Sequence, residues 1–263
     1  MERILIAGAG NMGSWLAETL CLDYEVGVYD KDPLKLKYLF NTYRFKEAEE
    51  IKTFKPQLLI NATGLDQTIA AFEQLFPYIP DDCIISDITS VKNGLARFYE
   101  KAGFRFVSTH PMFGPTFGNI KDLKGQNAII ISESDPEGKD FYRDFYQKLG
   151  LQIYEYDFVE HDKTIAYSLS IPFSSTIVFS SLMTSLEVPG TTFRNHLKIA
   201  HGLLSEDDYL LSGILLNKYS VEKLYQINRK LNELIDMLEN KDEKALHKLF
   251  ARLRENTGMV AGS

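Results

Sequence analysis

The first part of the chain alternates short, unbroken apolar runs with longer segments whose apolar residues recur every three to four positions. The runs are RILIAG, EVGVYD, QLLINAT, CIISDI, RFVSTH, NAIIIS and LQIYEY. Their length and β-branched content predict strands, and their continuity predicts burial on both faces. Helical spacing fills the intervals, over residues 11–22, 33–43, 66–76, 93–101 and 136–149. Such alternation predicts an α/β fold: a Rossmann-type, doubly wound, mainly parallel sheet over residues 1–157.

From Glu160 onward the β-type runs stop. Residues 158–263 read as a second, all-helical domain, with Pro172 expected to kink or break its first helix. Val188-Pro189-Gly190 and Asn217-Lys218-Tyr219-Ser220 punctuate the segments that follow. The apolar faces of these helices could pack between two copies of the chain or back onto the first domain. A homodimer is the expectation.

Composition narrows the functional classes. A length of 263 residues with 44% hydrophobic content supports ordinary buried cores, and a net charge of −7 without a basic run argues against nucleic acid as a partner. Cys21 and Cys83 lie in apolar surroundings without metal-type spacing, so reduced thiols and no metal site are expected, which fits a cytoplasmic protein. No apolar stretch reaches membrane-spanning length, and glycine interrupts the first run too early for a signal peptide.

The first strand runs straight into Gly8-Ala9-Gly10-Asn11-Met12-Gly13, and a helical segment follows at once. In that context Gly8 permits a tight turn, Gly10 lets backbone approach a pyrophosphate, and Gly13 lets helix pack closely on strand. The helix N-terminus, opened by Asn11 and Met12, offers N–H groups and a positive dipole to the anion. Asp30 ends the second run, where a carboxylate accepts hydrogen bonds from an unmodified ribose and repels a 2′-phosphate. NAD is therefore expected over NADP, with the neighbouring Lys31 weakening the preference. Thr63, in Asn61-Ala62-Thr63-Gly64, belongs to a turn on the same sheet edge, read either as cofactor contact or as an ordinary strand-to-helix connection.

Two further runs end in polar, turn-rich sequence: SDITSVK, with Ser90, and STHPMFGP, with His110. Loops at the carboxyl ends of strands surround the ligand in open α/β sheets. A histidine there can take a hydroxyl proton while hydride leaves the same carbon. The alternative for His110 is a strand-end histidine satisfied by backbone; for Ser90 it is an N-cap of the next helix. On residues 194–201 the spacing places Arg194, Lys198 and His201 on one helical face, either a carboxylate-binding stripe or a solvated surface.

THPMFGP, together with the glycine motif, the DITSVK segment and the later Glu160-His161-Asp162, resembles the prephenate and arogenate dehydrogenase family of tyrosine biosynthesis. The resemblance implies a dinucleotide domain followed by a helical dimerisation and substrate-binding domain, with NAD as cofactor. It also implies oxidative decarboxylation of prephenate to 4-hydroxyphenylpyruvate, with His110 bonding the ring 4-hydroxyl and Ser90 as its hydroxyl-bearing companion. Arg194 or Lys198 is the expected partner of a substrate carboxylate. His161 is set aside as non-catalytic, and Glu160 and Asp162 read either as groups of a functional segment near the domain interface or as acids at a positive helix start.

The chain departs from the family pattern at three places, the first being Gly202, where many members place an arginine for the side-chain carboxylate. Members often carry an acid two positions after the glycine of the histidine loop, where this chain has Thr116; the lack of an acid leans toward prephenate over the amine-bearing arogenate. A histidine-bearing segment of the second domain appears here as Ser170-Ile171-Pro172-Phe173. A β-hydroxyacid dehydrogenase or imine reductase of the same plan is a more distant reading, and a nucleotide-sensing protein without turnover is a third. Retention of both Ser90 and His110 argues against the sensor.

Overall fold

The computed structural model describes residues 1–113, 123–184 and 188–258. Its first half builds β1 (Arg3–Ala7), α1 (Asn11–Leu20), β2 (Glu25–Tyr29), β3 (Tyr43–Phe45), α2 (Ile51–Phe54), β4 (Leu58–Asn61), α3 (Thr68–Leu75), β5 (Ile84–Asp87), α4 (Leu95–Ala102), β6 (Phe106–Pro111), β7 (Asn127–Ile131), α5 (Pro136–Lys148) and β8 (Gln152–Tyr156). The strands form one eight-stranded sheet in the order β3-β2-β1-β4-β5-β6-β7-β8. All neighbours are parallel except β6 and β7, where Thr109, His110 and Pro111 pair antiparallel with Ile130, Ile129 and Ala128.

Alternation within each apolar run divides the core between the two faces of this sheet. Ile4, Ile6, Ile60 and Val107 point to one side, where Leu16 and Leu20 of α1 and Tyr142 and Tyr146 of α5 cover them. Leu5, Ala7, Leu59 and Ile85 point to the other, under Phe54, Phe72, Leu75 and Tyr99 from α2, α3 and α4. The tyrosine hydroxyls buried in the first layer are satisfied: Tyr142 bonds Ser86 at 2.7 Å and Tyr146 bonds Thr109 at 3.0 Å.

One expected helix is absent. Residues 33–43 form a 3-10 turn over Pro33–Tyr38, started by the Asp32 carboxylate accepting from Leu34 N–H, and then the edge strand β3. Leu36 and Leu39 are the buried apolar side chains of this stretch, too few to hold a helix face, and Asn41 in the left-handed conformation (φ 58°) turns the chain into the strand.

The second half is helical: α6 (Phe158–Ile165), α7 (Ile171–Ser181), α8 (Thr191–Leu204), α9 (Asp208–Leu215), α10 (Ser220–Glu239) and α11 (Glu243–Asn256). Pro172 stands in the first turn of α7, and a single π-helical turn, Ala166–Ser170, joins α6 to α7 without a break. Proline lacks the N–H that would bond four residues back, and the wider turn absorbs that loss. α9 presses on the carboxyl edge of the sheet at Gly213, where a Cβ would stand 2.3 Å from Leu65 Cδ2. Among the described residues no helix is long and apolar enough to cross a membrane.

Candidate active site

The site begins at the turn between β1 and α1. Gly8 adopts φ +98°, a conformation that disfavours any side chain, and its N–H donates to Tyr29 O at 2.8 Å. A Cβ on Gly13 would meet Gly8 O at 1.9 Å, so only glycine lets α1 lie this close to the turn. Gly10 has nothing within 4 Å of its would-be Cβ. It caps α1 without a side-chain hydrogen bond, and the first turn contains no acid, so the helix N-terminus keeps its N–H donors and positive end free for an anion.

Beside this turn lies a cleft of about 300 Å³, lined by Gly8, Gly10, Asp30, Lys31, Thr63 and Gly64 among others. Asp30 is 6% exposed. One of its oxygens accepts from Ala9 N–H at 2.7 Å and the other from Asp32 N–H at 2.9 Å, while Lys35 Nζ stands 3.8 Å away. Asn61 organises the facing loop: its Oδ1 accepts from the Thr63 hydroxyl at 2.7 Å, and its Nδ2 donates to Thr68 O at 2.8 Å. Anion donors, open space above Gly10 and a buried acid at the end of β2 fit a dinucleotide laid across the carboxyl edge. Asn11 and Met12 occupy the first turn of α1 and are not among the residues lining the cleft.

Farther along the same edge, β5 and β6 deliver a buried polar network. Lys92 Nζ forms an ion pair with Asp87 and donates to Thr109 O at 2.7 Å; both charged side chains are 0% exposed. Asp87 also accepts from the Tyr99 hydroxyl at 2.6 Å and the Thr89 hydroxyl at 2.8 Å. Burial alone pushes the Asp87 pKa up, yet the Lys92 ammonium and the Tyr99 hydrogen bond hold it below the ordinary carboxylate value.

His110 is the penultimate residue of β6, at 6% exposure. Its Nδ1 lies 3.1 Å from His161 Nε2, and His161 Nδ1 lies 3.2 Å from Asp162 Oδ1. Desolvation, reinforced by His161 and by the Lys92 charge, sets the His110 pKa well below the usual imidazole value, so the ring is neutral at neutral pH. The bond to His161 is the imidazole's one hydrogen bond among the described residues, leaving Nε2 available.

Ser90 is half-buried on the connection after β5 and has no hydrogen-bond partner among the described residues. It does not cap the following helix, because Gly94, at φ 81°, takes that position in α4. No bond joins it to His110. Arg194, Lys198 and His201 share a face of α8, exposed and without ion pairs among the described residues, and no contact links them to His110. Thr116, with Gly114 and Pro115, lies outside the described residues.

His161 is the residue that sequence reasoning passed over. Asp157 and Glu160 form a reciprocal capping box at the start of α6, which accounts for the Glu160 acid. His161 instead shares the buried stripe with Phe158 and Ile165, at spacings of three and four, and that spacing was the available signal. Cys21 and Cys83 are free thiols; burial above all pushes the Cys83 pKa up to about 12, so it is inert.

Comparison with known proteins places this geometry among relatives. Residues 21–132 match the family model of the prephenate dehydrogenase nucleotide-binding domain. The chain is 24% identical over 266 residues to the T-protein of Enterobacter agglomerans, a match covering 96% of this chain and 66% of that protein. It thus spans just under two thirds of that relative's length. The crystal structure of prephenate dehydrogenase from Aquifex aeolicus, in complex with hydroxyphenyl propionate and NAD+, superposes with a TM-score of 0.82 at 18% identity, covering 98% of this chain and 97% of that one. Synechocystis arogenate dehydrogenase gives 0.77 at 17% identity over 97% and 99% of the two chains. At these identities the structural likeness establishes a shared fold.

Proposed function

We propose that the chain is an NAD-dependent prephenate dehydrogenase, a reading supported by the match of residues 21–132 to the prephenate dehydrogenase nucleotide-binding domain and by the likeness to the T-protein. The observation that carries this reading is the position of His110: buried, neutral and with Nε2 unpartnered among the described residues, it stands on the same carboxyl edge as the glycine turn. β4 and β5 separate β1 from β6, so the turn and the histidine lie on the order of 14 Å apart. That is a span a dinucleotide can bridge.

Bound NAD supplies the acceptor for the hydride leaving the ring carbon that bears the 4-hydroxyl. His110 Nε2 accepts the hydroxyl proton as carbonyl character develops, and returns it once the ring carboxylate has departed as carbon dioxide and the ring is a phenol. Atoms and electrons balance: prephenate and NAD+ give 4-hydroxyphenylpyruvate, carbon dioxide and NADH. Ser90, without a hydrogen-bond partner among the described residues, can bond the same hydroxyl. Asp30 and the N–H groups opening α1 hold the cofactor's ribose and diphosphate, with Thr63 along the cleft wall.

Substrate carboxylates need cations, and Arg194 and Lys198, exposed on α8 and without ion pairs among the described residues, are candidates. They can serve once a second chain packs on the helical half. Exposed Leu224, Leu231, Ile235 and Leu238 form an apolar stripe along α10, which supports a homodimer. On this reading residues 1–157 hold NAD in the cytoplasm, and residues 158–263 dimerise and bind substrate. Prephenate is preferred over arogenate because Thr116 stands where an acid would favour the amine.

The test is NADH formation with prephenate and then arogenate, by wild type and His110→Asn. Rapid turnover of prephenate, with a loss of about a hundredfold or more in the variant, is expected. No NADH from either substrate overturns the reading, and equal rates for the two proteins remove His110 from the chemistry.

A further inference from the structure

His110 can act as a base only if the nitrogen facing the substrate carries no proton, and an imidazole has two tautomers. The surroundings select between them. A carboxylate oxygen accepts, so the 3.2 Å contact with Asp162 Oδ1 requires the proton of His161 to sit on Nδ1. His161 Nε2 is then the acceptor, and the 3.1 Å contact requires His110 to donate from its own Nδ1. The opposite arrangement would set the bare Nδ1 of His161 against the carboxylate, lone pair to lone pair. A doubly protonated His161 is opposed by burial and by the nearby Lys92 charge.

We infer that Asp162 and His161 are positioning residues that hold His110 in the Nδ1–H tautomer, so that Nε2 is the lone pair offered to the substrate hydroxyl. This rests on the dehydrogenase reading for its chemical consequence, though the tautomer itself does not. When His110 takes up the proton, the same two groups stabilise the imidazolium through its Nδ1–H, the role that the carboxylate plays toward the histidine of a hydrolase triad. The groups facing the relay come from every side. Asp87 ends β5 and Lys92 approaches from the connection after it, while Thr109 precedes His110 on β6. Asn217, between α9 and α10, donates through Nδ2 to Asp162 O at 2.9 Å. The helical half therefore holds the orienting groups while the sheet holds the base.

Nitrogen-15 NMR of the histidines in the full-length protein reads the tautomer without substrate: His110 is expected with Nδ1 protonated and Nε2 bare. A protonated Nε2 on a neutral His110 overturns the inference. Kinetics supply a second, independent reading. His161→Gln keeps an acceptor at the place of Nε2 and should stay within about threefold of the wild-type kcat. His161→Leu should lose about tenfold or more in kcat with KM within about twofold. Equal losses in the two variants, or none in either, overturn the positioning role. If wild type forms no NADH from prephenate or arogenate while His110 shows the Nδ1–H tautomer, the substrate reading falls and the orienting pair stands.

Discussion

Lys92 lies against Asp87 inside the protein, with both side chains at 0% exposure, and its remaining reach is used on Thr109 O of the strand that carries His110. The pair thus ties the end of β5 to the end of β6. Removing one partner strands the other as a buried charge. Lys92→Met is expected to destabilise the fold by about 3–5 kcal/mol, with Lys92→Met combined with Asp87→Asn recovering part of the loss. Urea unfolding measures both; a Lys92→Met cost below about 1 kcal/mol contradicts the assignment.

Gly10 and Gly13 should separate binding from folding. A Cβ on Gly13 collides with Gly8 O at 1.9 Å, so Gly13→Ala should destabilise by about 1–3 kcal/mol or more. A Cβ on Gly10 touches nothing in the chain but enters the cofactor cleft, so Gly10→Ala should leave stability within about 0.5 kcal/mol and weaken NAD binding. Thermal unfolding beside NAD titration distinguishes them, and the reverse pattern would refute the placement of the diphosphate.

Asp30→Ala removes the acceptor for Ala9 N–H and the expected partner of the ribose. A charge-assisted hydrogen bond is worth about 1.5–3 kcal/mol, so NAD affinity should fall roughly tenfold to a hundredfold. With the acid gone, Lys31 and Lys35 remain to meet a 2′-phosphate, and discrimination against NADP should shrink. Calorimetric titration with each cofactor checks both expectations.

Stability should fall on the acid side of neutrality. Burial above all keeps the folded-state pKa values of His110 and His161 below the ordinary imidazole value. As pH drops through about 6.5, the unfolded chain binds protons that the folded chain refuses, so the unfolding free energy declines; above that pH it is level. His161→Leu should flatten the slope between about pH 6.5 and 5. An unchanged slope in the variant would place the titration elsewhere.

Much of the framework was legible because local physics fixes it. Unbroken apolar runs such as NAIIIS are demanded by burial on both sheet faces, and the glycine turn works through backbone clearances that only Gly8 and Gly13 permit. β3 was hidden, because three residues at a sheet edge leave no periodic signal. The contact of His161 with His110 was hidden for a different reason. The sequence neighbours of His161, Asp157 and Glu160, explain a helix start, and nothing local announces that the inward face of α6 meets the end of β6.

By itself the sequence determined the alternation of strand and helix, the change to helices near residue 157, the turn built on Gly8, Gly10 and Gly13, and His110 at a strand's end. These follow from periodicity and short-range geometry, which a chain carries in consecutive residues. Only the tertiary structure decided that Asp87 and Lys92 close a buried ion pair, and that Asp162 and His161 line up behind His110. Those contacts join residues far apart in the chain or on different elements. Their hydrogen-bond directions are set by groups brought together only when the helical half packs on the sheet.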